Sequence, residues 1–414
     1  MTAKLARTRR ADLWMMMLRK LPITESARMQ RRFFAAAATA AVRKTALYDL
    51  HVELGGKMVD FAGWMLPVQY TDGIIKSHLH TRSNASLFDV SHMGQVRLFG
   101  KDRVAYLEGL VVGDIASLQP TEGRLTLFTN ERGGIKDDSI VTAQEDYLHL
   151  VVNAACTEKD VAHMREHLAK AKAKGMDVDM TLLEDKSLLA LQGPESMSTL
   201  QRYVPPGTDL TKMPFMTSQV LTVDGIPDCT VTRCGYTGED GFEISVPSEH
   251  AVKLASTLLS NEAVQPAALG ARDSLRLEAG LCLYGHDADE DTTPVEAALV
   301  WTVGKRRRAE GGFLGADTII SQIKNGVSRK RVGLTTTGPP AREGADILSP
   351  DGEKIGNVTS GTFSPSLSKP ISMGYVQTPF SKVGTKVLLE VRGKSREAEV
   401  VKMPFVPSSY YKVP

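Results

Sequence analysis

The chain has 414 residues, 42% of them hydrophobic and 24% charged, with a formal net charge of +2. That length accommodates two or three domains with a sizeable core. The balanced charge gives no ground for a nucleic-acid or membrane-surface protein, and the absence of a long uninterrupted apolar run predicts no spanning helix.

Residues 1–44 carry eleven Lys or Arg against two acids, Asp12 and Glu25. Within them "RMQRRFFAAAATAAVRK" sets arginines beside an alanine-rich apolar stretch. An Arg-rich, acid-poor, amphipathic leader of this kind looks like a mitochondrial transit peptide, with the cut expected at "RRFF", after Arg32. Residues 1–40 are assigned to that leader and set aside; without them the remainder is slightly acidic.

Strand and helix signals then alternate without the regular spacing of a doubly wound sheet. His78 and His80 form an HxH without carboxylate or thiol companions and read as solvated. His92, in "FDVSHM", reads as a hydrogen-bonded structural residue. "LTLFTNERGGIKDDSIV" predicts a hairpin with arms at 125–128 and 135–141 and a turn at 130–134, where glycines permit positive φ. Side chains alternate along a strand, so Asp137 and Asp138 point to opposite faces and cannot form a simple shared-proton dyad with each other. Both faces carry an apolar member, and periodicity does not choose between them. An aspartate pair after a Gly-Gly turn is most often solvated punctuation.

"DYLHLVVN" predicts a third strand ending at Asn153, followed by a helix over 158–174 closed by Gly175. "CTVTRC" and "GFEISV" form a second hairpin around "GYTGEDG". In the latter strand Glu243 and Ser245 share the face opposite Phe242, Ile244 and Val246, and in an antiparallel sheet such a polar face is usually wet. The loop's three glycines permit close backbone approach to a ligand. Its acids, and the lack of a following Lys-Ser or Lys-Thr, exclude a phosphate loop.

Helical spacing recurs over 248–259 and 267–281. The second segment places Arg272 and Arg276 one turn apart, with Glu278 near its end. Two like charges on one helix face call for an anion or an acid. A carboxylate-bearing ligand answers that call, and so does an internal salt-bridge network; the spacing leaves both open. "KRRR" at 305–308 opens a connector and reads as a solvated face, or as a dock for an acidic partner. Beyond it, short strands with Gly and Pro turns predict a small closed or sandwiched β domain. Mixed α+β followed by all-β is the resulting architecture. The four cysteines form no CxxC pair and read as reduced thiols. No GxSxG, HExxH, P-loop or GxGxxG is present, so serine hydrolase, zincin, NTPase and dinucleotide oxidoreductase readings lose support.

Taken together, "SLFDVSHMGQ" (86–95), "LVVGDI" (110–115), "LTLFTNERGGIKDD" (125–138), "VTRCGYTGEDGFEISVP" (231–247), "GARDSLRLEAGLCLYGHD" (270–287), "TTPVEA" (292–297) and "KMPFVPSSYY" (402–411) closely resemble the glycine cleavage T-protein (aminomethyltransferase) family. The resemblance runs from about Thr45 to the C-terminus, with the motifs in the family's order. It implies an α+β fold of three domains arranged as a cloverleaf around a folate channel. Two intertwined α+β domains would fill 45–305, and a small β barrel 328–407.

It also implies a reaction in the mitochondrial matrix. Lipoylated H-protein presents an aminomethyl group, and tetrahydrofolate takes the one-carbon unit, giving methylenetetrahydrofolate, ammonia and dihydrolipoyl H-protein. P-protein and L-protein are the other implied components, with no metal, nucleic acid or membrane. By the family's motifs Asp138 is the catalytic carboxylate, and Asp137 is structural. Glu243 and Arg272 match folate-binding positions, and Met93, Asn153 and Tyr410 match positions lining the folate pocket. Two related families fit less well. The iron–sulfur maintenance folate-binding family, a scaffold without transferase activity, carries a Lys-Gly-Cys-Tyr-x-Gly-Gln-Glu stretch where this chain has "RCGYTGEDG". The dimethylglycine and sarcosine dehydrogenases require a flavin domain that this sequence does not contain.

Overall fold

The computed structural model describes residues 42–412; the expected leader, residues 1–40, lies outside them. Helix α1 (Tyr48–Glu53) leads into a hairpin of β1 (Lys57–Phe61) and β2 (Trp64–Gln69), and helix α2 (Gly73–Ser83) follows. Strand β3 (Ala85–Asp89) enters a six-stranded sheet, which the chain leaves at once. The next elements are β4 (Gly94–Phe99), α3 (Arg103–Glu108), β5 (Gly123–Thr129), β6 (Ile135–Ala143), β7 (Tyr147–Val152), α4 (Thr157–Ala173) and β8 (Asp179–Leu182). Their strands form a five-stranded sheet ordered β5-β6-β7-β4-β8.

The chain then returns through β9 (Lys186–Gln192), α5 (Ser196–Gln201), β10 (Ser218–Val223), β11 (Ile226–Thr232), β12 (Gly241–Pro247), α6 (Ala251–Leu259) and β13 (Val264–Ala267). The six-stranded sheet is thereby ordered β10-β11-β12-β9-β3-β13, with β13 parallel to β3. Helices α7 (Leu269–Glu278), α8 (Lys305–Glu310) and α9 (Ala316–Asn325) precede six more strands: β14 (Arg329–Thr336), β15 (Asp346–Leu348), β16 (Lys354–Ser364), β17 (Lys369–Gln377), β18 (Lys386–Val391) and β19 (Lys394–Val401). These close into a barrel, β14 pairing with β19 so that no edge is left open. The α+β class with a closed C-terminal β barrel is as expected from the sequence.

Each sheet packs one face against its own helices. In the six-stranded sheet Leu189, Leu191, Phe242, Ile244 and Val246 join Ala251, Leu254 and Leu258 of α6. In the five-stranded sheet Val96, Val141, Leu148, Leu150 and Val152 join Val161, Met164 and Leu168 of α4. Strand alternation turns the other faces toward each other. Ile140, Thr142, His149 and Val151 of β6 and β7 meet Leu188, Thr230, Thr232 and Ser245 of β9, β11 and β12 around a narrow cleft. Helices therefore lie outside and two sheets face one another inside.

The hairpin between β5 and β6 is fixed by its turn. Asn130 Oδ1 accepts from the backbone N–H of Arg132 at 3.0 Å and of Gly134 at 2.9 Å. Gly133 adopts φ +87°, a conformation that favours glycine. At Gly134 an added Cβ would sit 1.8 Å from the Glu290 carbonyl oxygen, a backbone atom with no freedom to swing away. Gly134→Ala is therefore expected to destabilise the protein by about 3 kcal/mol, the upper range for overpacking. Thermal unfolding checks this, and an unchanged melting temperature would refute it.

Helix α4 places Glu158 in its first turn and Lys170 and Lys172 in its last, complementing the helix dipole, and Gly175 at φ +81° follows its end. The expected 267–281 helix stops at Glu278, where Gly280 takes φ +69°. The histidines of α2 differ from expectation because that helix is wedged against α7, β3 and β13. His78 is fully buried, with Nδ1 2.8 Å from Ser274 Oγ and Nε2 3.1 Å from Glu278 Oε2. His80 reaches the carbonyls of Ala85 and Ala263. His92 is also buried, but its Nδ1 has no hydrogen-bond partner among the described residues, and its ring meets Phe61 edge-on.

Candidate active site

Strand β6 separates the two aspartates. Asp137, Ser139 and Val141 are buried toward α4, whereas Asp138 shares the inter-sheet face with Ile140 and Thr142. Asn153, at the end of β7, ties them together. Its Nδ2 donates to Asp137 Oδ1 at 2.8 Å and to Asp138 Oδ1 at 2.9 Å, and its backbone N–H donates to Asp137 Oδ2 at 3.0 Å. Burial, and then the neighbouring Asp137 charge, push the Asp138 carboxyl up to about 7, against the hydrogen bond from Asn153. A carboxyl in that range exchanges its proton near neutral pH, as general acid–base catalysis requires.

Glu243 lies on the face of β12 that turns to the same cleft. The alternation read from "GFEISV" holds, but the polar face is covered by the second sheet instead of solvent. Burial raises the Glu243 carboxyl above its ordinary range, opposed by the Arg272 charge and a hydrogen bond from the Cys234 thiol. The two arginines of α7 divide the alternatives between them. Arg276 belongs to an internal network: it donates to Asp273 at 2.9 Å, Asp287 at 2.6 Å and Ser360 at 2.9 Å. Arg272 instead lies 4.8 Å from the Tyr236 ring centroid and keeps its Nη1 buried, without a hydrogen-bond partner among the described residues. An orphaned guanidinium nitrogen of this kind is a donor poised for an anion or carbonyl.

Tyr236 was not singled out in the sequence. It sits in the "GYTGEDG" loop, donates to the Cys282 carbonyl, and has both Asp138 and Arg272 among its charged neighbours. Tyr410 stacks on Phe215 with centroids 4.1 Å apart, and burial raises its phenol, with Cys234, Arg82 and Glu239 close by. Met93 packs with Phe88, Leu188, Ala271 and Leu275, beside Val151 of the cleft wall. Five of the six residues singled out are thus neighbours in one region, while Met93 packs against the wall residue Leu188. Asn153 bonds Asp138, Tyr236 links Asp138 to Arg272, Arg272 neighbours Glu243, and Cys234 links Glu243 to Tyr410. His149, also missed, faces the cleft with Nε2 unpartnered among the described residues, and burial lowers its pKa to about 4.

The basic run at 305–308 is not a free docking patch. Arg306 donates to Asp114 at 2.8 Å and Glu310 at 2.7 Å, Arg307 is buried with its Nη2 on the Glu108 carbonyl, and Arg308 donates to the carbonyls of Val300 and Val303. These arginines serve the fold.

A buried carboxyl raised toward neutrality beside two facing sheets, with a closed barrel after them, places the chain in the class of α+β proteins with a C-terminal β barrel. Residues 47–307 match the family profile described as the GCVT N-terminal domain, and residues 329–407 match that of the glycine cleavage T-protein C-terminal barrel domain. The chain is 54% identical to the mitochondrial aminomethyltransferase of Flaveria anomala, over 97% of this chain and 99% of that one. It is 56% identical to that of Homo sapiens, over 91% and 93%. The crystal structure of glycine cleavage system aminomethyltransferase T from Bartonella henselae superposes with a TM-score of 0.83 at 41% identity, covering 90% of this chain and all of that one. The chain belongs to the glycine cleavage T-protein family.

Proposed function

We propose that the protein is a mitochondrial aminomethyltransferase that moves the one-carbon unit of the lipoyl-bound aminomethyl group of H-protein to tetrahydrofolate. The products are methylenetetrahydrofolate, ammonia and dihydrolipoyl H-protein, and the protein works beside P-protein and L-protein. In this reading Asp138 is the catalytic residue, and Met93, Asn153, Glu243, Arg272 and Tyr410 contact folate. The leader is 1–40, the folate-binding region 45–305 and the barrel 328–407.

The observation that carries the reading is Asp138 itself, a carboxyl placed on the inter-sheet face and tuned to neutrality by burial and by Asp137. Its proton exchange with the folate amine or the departing ammonia is worth about 10²–10⁴ in rate. Glu243 is suited to accept hydrogen bonds from the pterin amino and ring N–H groups. The spare Nη1 of Arg272 is suited to donate to a carboxylate or carbonyl oxygen of the same ligand. Holding the aminomethyl carbon against the pterin nitrogen contributes about 7 kcal/mol or more through proximity.

The test is ammonia release from aminomethyl-loaded H-protein, measured with and without tetrahydrofolate. Folate-dependent release is expected. Folate binding without release above background would sink the transferase reading and put the scaffold reading of the iron–sulfur maintenance family in its place.

A further inference from the structure

Behind Asp138, on the α4 side of β6, lies a second set of acids that the reaction does not use directly. Asp137, Cys156 and Asp160 are all buried, and one polar atom from each lies within 4.8 Å of the others. Asp160 is 1% exposed, and among the described residues neither of its carboxyl oxygens has a hydrogen-bond donor. In an ordinary first helical turn such a carboxylate would face solvent. Here it faces Asp137, whose two oxygens already accept from the Asn153 backbone N–H and side-chain amide.

Two enclosed carboxyls with oxygens within 4.8 Å disfavour a double charge, and one proton held by the pair relieves it. We propose that Asp160 is a positioning residue: it shares a proton with Asp137, and so fixes Asn153, whose amide holds Asp138 in the cleft. The proposal rests on the reading of Asp138 given above.

The surroundings favour a proton over a cation. Lys159 of α4 donates to the Lys136 carbonyl at 2.6 Å and to the Tyr284 hydroxyl at 2.9 Å, so an ammonium stands beside the cluster. Lys136 and Lys159 both act on the Asp160 charge. Glu290 lies 3.2 Å from Lys159 on the outer side, and Tyr284 meets the cluster from the segment after α7. Burial and the Asp137 charge raise the Cys156 thiol, keeping it neutral and poor as a metal ligand. Burial and the Asp137 charge raise the Asp160 carboxyl in the same direction.

The shared proton gives Asp137 a third donor, which draws its charge away from Asp138. Asp160→Asn keeps a donor toward Asp137, whereas Asp160→Ala removes it. The Asn variant is expected to keep kcat for ammonia release within about twofold and to leave the Asp138 limb of the pH–kcat profile in place. The Ala variant is expected to lower kcat by about 10–100-fold, the worth of a hydrogen bond to a charged group, to raise KM for tetrahydrofolate as Asn153 loosens, and to move that limb upward.

Difference infrared spectroscopy of the parent against Asp160→Asn supplies a readout independent of turnover and of whether the Ala variant folds. A buried protonated-carboxyl C=O band lost in the variant is expected. Absence of the band, a native Asp160→Ala profile, or an Asp138 limb displaced by a unit or more in Asp160→Asn would each overturn the proposal. So would Zn²⁺ raising the melting temperature of the parent and not of Asp160→Asn, which would make the cluster a cation site. If the parent itself releases no ammonia, the transferase reading fails, while the infrared band still decides the shared proton.

Discussion

Asp138→Asn abolishes tetrahydrofolate-dependent ammonia release, with kcat down by about 10²–10⁴-fold. The substitution is close to isosteric, and an asparagine carbonyl still accepts from Asn153 Nδ2, so the local hydrogen bond is preserved. What disappears is a proton that can be held or released near pH 7. Folate binding, followed separately by fluorescence titration, is expected to survive, and the pH–kcat profile is expected to lose its break near 7.

Stability moves the opposite way. The folded-state pKa of Asp138 lies above its ordinary 3.8, so the folded protein holds a proton that the unfolded chain gives up. Stability is therefore lost as pH rises from about 3.8 to about 7, and stays lost above it. The variant, which cannot ionise, is expected to melt above the parent at pH 8 and to show no such gain at pH 3.5. Undiminished ammonia release would remove Asp138 from the chemistry whatever the melting curves show.

Glu278→Gln lowers stability at pH 7 by about 3 kcal/mol, the scale for breaking a buried charge network by removing one partner. Glu278 has no solvent-exposed surface and joins three parts of the molecule. From α7 it accepts from Ser364 Oγ at 2.6 Å, Ser366 N at 3.1 Å and Ser366 Oγ at 2.7 Å in the barrel segment. It also accepts from Arg82 Nη2 at 2.9 Å, and His78 Nε2 of α2 lies 3.1 Å away. Burial alone would raise this carboxyl. The hydrogen bond and charge of His78, with the serine hydrogen bonds, outweigh burial and bring it down to about 2.

A lowered carboxyl pKa contributes stability that is fully present above about 4.5 and is lost as pH falls toward about 2. The gap in melting temperature between parent and Glu278→Gln is therefore expected to be wide at pH 7 and to close on acidification. Equal melting temperatures at pH 7 would show that the network contributes nothing net. Arg276 and Asp287 form a second such tie, since both bond Ser360 of the barrel.

Much of this was legible in the sequence, for a local reason. Hairpin turns and strand alternation are short-range properties, so the β5–β6 and β11–β12 pairs and the opposite pointing of Asp137 and Asp138 could be read directly. The closely spaced Gly and Pro turns after residue 328 marked an all-β domain, closed or sandwiched, and the family resemblance made it a barrel. Alternation gives parity, however, and not what covers each face. Glu243 looked wet because the sheet that covers it is built from residues 94–182. Arg306 looked free because its partner Asp114 lies 192 residues earlier. Asp160 carried no signal in the sequence, because the Asp137 that lies beside it belongs to a strand more than twenty residues earlier. The identity of the site residues came from the family resemblance, which carries the non-local information that spacing lacks.

The insertion of one sheet within the other has a consequence for how the chain acquires its shape. Strand β3 pairs with β9 and β13, and β13 begins only at Val264, whereas every strand of the five-stranded sheet lies between Gly94 and Leu182. The five-stranded sheet is contiguous in the chain, while β3 needs partners about a hundred and more residues away, the costlier closure. The cleft takes one wall from each sheet, so neither sheet makes it alone.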